Sequence, residues 1–261
     1  MPGLFPPRLT CACLTFLAMP AAHSQSKFAA SDSPAFPSPE TLSYSVEWRL
    51  IYAGDARLTL EPAKLFDRSG WTSKLEVQSS GLVSKLYKIV DTYQVAMEDP
   101  FCTTSTSLDA MEGKRRRDVK VTYDYSRKKS SYVERDLVKN SVKTAEADLP
   151  GCVADILTGL YKLRTLRLEP GQNTQAVLSD GKKVVSARVE AQEREQIRTK
   201  MGTFNTVRYE AFVFNGVLFA RKAELQVWLT DDARSLPVQI RARMSFPVGS
   251  ITFMLDKDEH P

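Results

Sequence analysis

Residues 150–171 read Pro-Gly-Cys-Val-Ala-Asp-Ile-Leu-Thr-Gly-Leu-Tyr-Lys-Leu-Arg-Thr-Leu-Arg-Leu-Glu-Pro-Gly, and here the periodicity of the chain changes. On either side, past residue 41, apolar and polar residues alternate with the period of two that puts successive side chains on opposite faces of a strand. Within the stretch, Val153, Ile156, Leu157, Leu160 and Tyr161 fall on one face of an α-helix, with Lys162 and Arg164 as basic residues near its end. Pro150 and Gly151 stop the preceding strand from running straight in. Asp155 lies in the first turn, where the helix dipole favours a carboxylate. The spacing predicts one helix over 152–165, set between two antiparallel β segments.

Upstream, Leu42, Tyr44, Val46, Trp48 and Leu50 point one way, and Ser43, Ser45, Glu47 and Arg49 the other. Ala53-Gly54-Asp55 reads as the turn into a return strand through Leu58 and Leu60. A third strand carries Trp71, Ser73, Leu75 and Val77. Leu82, Val83, Leu86 and Tyr87 are spaced for a single helical turn, and the β period resumes over 89–97 and 102–111. Segments 114–125 and 130–138 form a long hairpin around residues 126–129. Downstream, Asp180-Gly181 marks a tight hairpin between 174–178 and 184–191. Segments 193–199 and 203–214 are joined at Gly202, and three more strands follow, the last at 250–255. So many consecutive antiparallel strands with one proper helix predict a mainly β (α+β) fold: a meander forming a barrel or half-barrel, as a single domain over 42–258.

The first residues belong to a different category. Arg8 precedes an apolar run over 9–22, broken by Pro20, and Ala22-His23-Ser24 offers small residues where a signal peptidase reads. The expected secretory signal is 1–24, with cleavage after Ser24, followed by a Ser/Ala/Pro-rich flexible leader over 25–41. The run is shorter than the ~20 apolar residues that span a bilayer. Cys11 and Cys13 lack the small residue before a terminal cysteine that a lipoprotein anchor would show. Beyond Ser24 the chain has 35 basic and 31 acidic residues, a charge of +4. That weak balance names no partner. The expected location is the periplasm, as a protein without a membrane span. Cys102 and Cys152 then remain as an even pair outside any Cys-x-x-Cys motif, which in an exported protein reads as a structural disulfide.

Catalytic and cofactor signatures are scarce. The two histidines are His23, in the signal, and His260, beside the C-terminus. A Ser-His-Asp or Cys-His site, or a histidine zinc site, needs a rigidly held imidazole. Phosphate-loop, dinucleotide and EF-hand motifs are missing too, so no cofactor and no metal is expected. The carboxylate pairs Asp231/Asp232, Asp91/Asp99 and Glu47/Glu61 leave open an enzyme acting on envelope polysaccharide. Thr230-Asp231-Asp232 reads first as a turn, however. The densest charge lies on the 114–138 hairpin: Arg115, Arg116, Arg117, Lys128 and Lys129 are candidates for contact with a polyanion or a membrane surface, or simply a solvated hairpin whose charges guard an edge. No aromatic-basic pattern accompanies them, so nucleic acid is not an expected partner. Trp48, Trp71, Leu82, Leu86, Tyr87, Tyr93, Ile156 and Leu160 are core in a closed barrel; in an open one they would line a cavity for an apolar ligand.

Three ordered stretches also resemble a known family. Residues 155–171, Met201-Gly-Thr-Phe-Asn-Thr-Val-Arg-Tyr-Glu210 and Leu225-Gln-Val-Trp-Leu-Thr-Asp-Asp-Ala-Arg-Ser-Leu-Pro-Val-Gln-Ile240 are similar to the bacterial exported proteins grouped as domain of unknown function 3108. The resemblance spans about Tyr44 to Leu255 and implies an envelope protein with no established activity. Cys102 and Cys152 depart from the commoner pattern of that family. At the level of fold alone, a meander with a helix on its concave side is similar to the half-barrels of periplasmic lipoprotein carriers. The resulting expectation is a non-enzymatic binder of a hydrophobic or envelope-derived ligand, with lipid, lipoprotein or envelope glycan as partner. A scaffold docking through the basic hairpin is a further alternative.

Overall fold

The computed structural model describes residues 36–260 except 66, 246 and 247. The expected signal and residues 25–35 of the expected leader lie outside the described residues. The elements are β1 (Glu40–Trp48), β2 (Ile51–Leu65), β3 (Arg68–Ser79), α1 (Gly81–Leu86), β4 (Ile89–Glu98), β5 (Cys102–Glu112), β6 (Arg115–Asp124), β7 (Lys129–Asp136) and β8 (Ser141–Asp148). Then come α2 (Ile156–Leu166), β9 (Asn173–Ser179), β10 (Val184–Thr199), β11 (Gly202–Ala211), β12 (Ala223–Thr230), β13 (Pro237–Met244) and β14 (Ser250–Glu259).

All the strands belong to one antiparallel sheet, ordered β8-β7-β6-β5-β4-β3-β2-β1-β14-β13-β12-β11-β10-β9. The chain enters mid-sheet, since β1 pairs with β2 on one side and β14 on the other. It meanders out to β8, crosses through α2 to the far edge at β9, and meanders back. The sheet does not close. Instead the β9–β10 turn tucks against β6 and β7: the Tyr123 hydroxyl donates to the Ser179 carbonyl at 3.2 Å and the Ser130 hydroxyl to the Gly181 carbonyl at 3.0 Å. A Cβ on Gly181 would lie 2.4 Å from Val121, so only glycine lets the turn approach this closely. The expected barrel or half-barrel is an open, rolled sheet whose two ends overlap.

Inside the roll, α2 packs on the alternating apolar faces. Leu42, Leu58, Leu60 and Leu255 are buried with Leu157 and Tyr161, each leucine contributing about 2 kcal/mol by leaving water. Leu163 joins Val189, Val207, Val227 and Leu229 from the other arm of the sheet. The helix therefore bridges the arms.

Local chemistry shifts several expected boundaries. The helix begins at Ile156 rather than 152, because Asp155 is its N-cap and accepts from the Leu157 and Thr158 amides, both at 3.0 Å. Val153 and Ala154 are extended: the Thr103 amide donates to Val153, and Ala154 bridges Leu178 of β9. The first hairpin turns at Arg49 and Leu50, both with positive φ, and not at 53–55. Gly54 lies within β2 beside a bulge, where a Cβ would collide with the Gln78 carbonyl of β3. Segments 184–191 and 193–199 are one strand, β10, with a register shift between Ala191 and Arg194. The leader gives way to β1 at Glu40, which is buried.

Candidate functional site

A cleft of about 590 Å³ opens along α2 between the two arms of the sheet. One wall is Leu75, Tyr93, Leu108 and Val119 from β3–β6. The floor is Ile156, Leu160 and Leu163 of α2, and the opposite wall includes Ala176, Val189, Ala211, Val227 and Ile240. The lining follows from the period-two pattern, which turns every second residue of each strand inward. Neither arm supplies enough side chains to fill the space beside the helix.

The polar groups around this cleft are mostly engaged. Asp155 caps α2 and also accepts from the Tyr93 hydroxyl at 2.7 Å and the Thr103 hydroxyl at 3.2 Å. Burial, and after it the charge of Asp155, raises the Tyr93 phenol well above its ordinary range, so it stays a neutral donor. Tyr123 is likewise raised, chiefly by burial. Asp180 is held by the Lys182 and Lys183 amides at 3.0 and 3.1 Å. Arg117 and Lys182 are the cations of the lining. Arg117 pairs with Glu112 at 3.4 Å, and Lys182 with Asp180 at 3.4 Å.

The residues singled out from sequence divide. Tyr93, Ile156 and Leu160 meet in the cleft. Trp48 donates its indole N–H to the Val248 carbonyl, and Trp71 donates to Asp99 at 3.1 Å; both lie away from it. Leu82, Leu86 and Tyr87 are exposed on and just after α1, which buries none of its residues, so they do not line the cavity. The basic cluster also splits. Arg115, Arg116 and Arg117 stand at the start of β6, whereas Lys128 and Lys129 stand beyond its other end, roughly 30 Å away at about 3.3 Å per residue. Residues that sequence reasoning missed include Leu108, Ala176, Ala211, Val227 and Ile240; their only signal was inward parity.

Among the carboxylates raised for catalysis, Asp231 pairs with Arg194 at 2.8 Å, and Asp232 accepts from Thr230, Arg234 and Ser235 within its turn. Asp91 accepts from the Met111 amide at 3.0 Å. No group of three His, Cys, Asp or Glu that could hold a metal occurs among the described residues. No helix there is long and apolar enough to cross a membrane. The cysteine pair stands as a disulfide, Cys102–Cys152, with Cα atoms 5.2 Å apart.

Burial and the nearby Glu112 charge push the Asp91 carboxyl up to about 6. Its protonated form is therefore favoured by folding, so stability is lost as pH rises from about 4 to 6 and stays lost above. Asp91→Asn, which keeps an acceptor for Met111, is expected to be more stable than the parent at pH 7.5 by about 1 kcal/mol, after discounting for partial solvation. The gain should vanish below pH 4 in urea denaturation; a gain that persists there assigns it to packing.

The family described as "Protein of unknown function (DUF3108)" matches residues 43–256, nearly the whole described fold. The chain belongs to the DUF3108 family. Among solved structures, this DUF3108 chain is similar to a β-barrel-like protein of the DUF1849 family from Brucella abortus, at 10% identity and a TM-score of 0.51, covering 85% of this chain and 97% of that one. That likeness concerns the fold alone. A protein described as a "putative exported protein with YmcC-like fold" from Bacteroides fragilis aligns at 8% identity and a TM-score of 0.32, over 85% and 96% of the two chains. Comparison with curated proteins finds no match for the DUF3108 chain.

Proposed function

We propose that this DUF3108 protein is an exported, periplasmic binder of a hydrophobic envelope molecule, held in the cleft along α2 without chemical conversion. The observation that carries the reading is the cleft itself. It is lined almost throughout by aliphatic and aromatic side chains, and its volume of about 590 Å³ lies within the ~300–1,000 Å³ of ligand pockets. An apolar hollow of that size left filled with water forfeits the stabilisation that a packed core would give. An apolar guest restores it. The disulfide supports export, since such bonds persist in oxidising compartments.

Native mass spectrometry and organic extraction of the protein recovered from its own envelope test this reading. A co-purifying apolar molecule is the expected result. Ala176→Phe, which places a ring in the cleft, should reduce uptake of an apolar fluorescent probe at least tenfold, with the thermal midpoint changed by only a few degrees. A ligand-free mass, together with equal probe uptake by Ala176→Phe and the parent, would discard it.

A further inference from the structure

The antiparallel order puts the β1–β2, β3–β4, β5–β6 and β7–β8 connections at one end of the sheet. Backbone hydrogen bonds join these four connections into a continuous rim. The Ser80 amide donates to Ala53 at 2.8 Å, Gly113 to Lys88 at 2.7 Å, and Leu137 to Arg116 at 2.9 Å. The rim segments are 49–52, 81–88, 113–116 and 137–140.

Their composition is unlike that of the rest of the surface. Of the thirteen exposed large apolar side chains among the described residues, eight belong to these four segments. Leu50 is 86% exposed, Leu82 65% and Leu86 71%. The described residues of the turns at the opposite end, between β2 and β3, β4 and β5, and β6 and β7, contribute none of the thirteen. The rim segments also hold seven basic residues, Arg49, Lys85, Lys88, Lys114, Arg115, Arg116 and Lys139, and no acid. Lys85, Lys88, Lys114, Arg116 and Lys139 form no ion pair among the described residues, whereas Arg115 reaches Glu134 at 3.6 Å. At the tip, Arg49 and Leu50 both take positive φ, a conformation that glycine or asparagine would adopt more cheaply. The exposed leucine is kept at a backbone cost.

We propose that this rim docks on an anionic membrane surface, with Leu50, Leu82 and Leu86 entering the headgroup–acyl boundary and Lys85, Lys88, Lys114 and Arg116 pairing with lipid phosphates. Apolar tips beside uncompensated cations match an interface that is greasy within and negative outside. A soluble acidic partner would use the cations but leave the leucines wet. A second copy of the chain would bring like charges together. The basic cluster on the 114–138 hairpin thus acts at its Arg116 end and not at Lys128 and Lys129. The inference is independent of the cleft and its ligand.

The test is flotation of the chain, in the form its host exports, with vesicles of phosphatidylglycerol and phosphatidylethanolamine or of phosphatidylcholine alone. The parent should float with the anionic vesicles and release as salt rises. Lys85→Glu/Lys88→Glu/Arg116→Glu should lose at least tenfold in partition, each charge being worth roughly fivefold. Leu82→Ser/Leu86→Ser should weaken binding to a salt-sensitive remainder. Arg127→Glu/Lys128→Glu, at the opposite end, should bind as the parent does. All are surface changes, and unchanged thermal midpoints confirm the fold. Equal flotation of the rim and control variants, or no flotation of the parent, overturns the proposal. So does a dimer in sedimentation velocity that Leu82→Ser/Leu86→Ser dissociates.

Discussion

Arg164→Met is expected to destabilise the fold by about 4 kcal/mol. Among the described residues, Arg164 is one of the bulkiest side chains taken out of water. Its guanidinium pairs with Glu40 in two contacts, one of them Nη2 to Oε2 at 3.0 Å, with both side chains 2% exposed or less. The remaining donors reach the Ser235 carbonyl at 2.9 Å and the Arg234 carbonyl at 3.2 Å, and the centre of the Phe36 ring lies 3.8 Å from the guanidinium carbon. One residue of α2 thereby ties down the start of β1 and the β12–β13 turn. Removing it leaves the Glu40 carboxylate buried without its counter-charge, and that stranded charge is the main cost. Glu40→Leu/Arg164→Met should recover most of the loss, because a well-packed apolar pair of similar volume costs little. Urea denaturation of the two single variants and the double variant measures the coupling. Additive losses would show that the two residues do not act as a pair.

Breaking the disulfide ranks second. The bridge spans 50 residues of sequence, and in the chain-entropy account opening it costs about 4 kcal/mol. Cys102→Ser/Cys152→Ser should therefore melt roughly 8–16 °C lower than the oxidised parent. Addition of a reductant should bring the parent to the same midpoint, since Cys152 is exposed. The bridge also pins the extended 152–155 segment to β5 just before α2, so proteolysis near Gly151 should accelerate in the variant. A midpoint that responds to neither change would mean that hydrogen bonds such as Thr103 to Val153 already hold the segment.

The β period, the change of period at α2 and the cysteine pair are legible in the sequence because each is local or compositional. The state of Arg164 is not. In the sequence it is one of two basic residues near a helix end, and its partner lies 124 residues away in what looks like a proline-rich leader. The first turn misleads for an opposite reason: Gly54 carries a turn signal but serves a close strand approach, while Arg49 and Leu50 turn without any. Leu82, Leu86 and Tyr87 read as lining because they are apolar, yet a six-residue helix outside the roll has no face to bury. For the cleft, alternation tells which residues point inward. It does not tell which inward residues lack a partner, and this is set by how far apart the two arms stand.

The pairing of β1 with β14 has a consequence in time. Delivered N-terminus first to the compartment where it folds, the chain presents β1 early and β14 last, with Thr41 ending opposite Glu259. Until then β1 presents an unpaired row of amides and carbonyls at the edge of a growing half-sheet, the kind of surface on which chains associate wrongly. Folding that waits on a contact across more than 200 residues is slow. A folding chain of this protein is thus exposed to misassembly longest at the strand that later lies at the centre of the finished sheet.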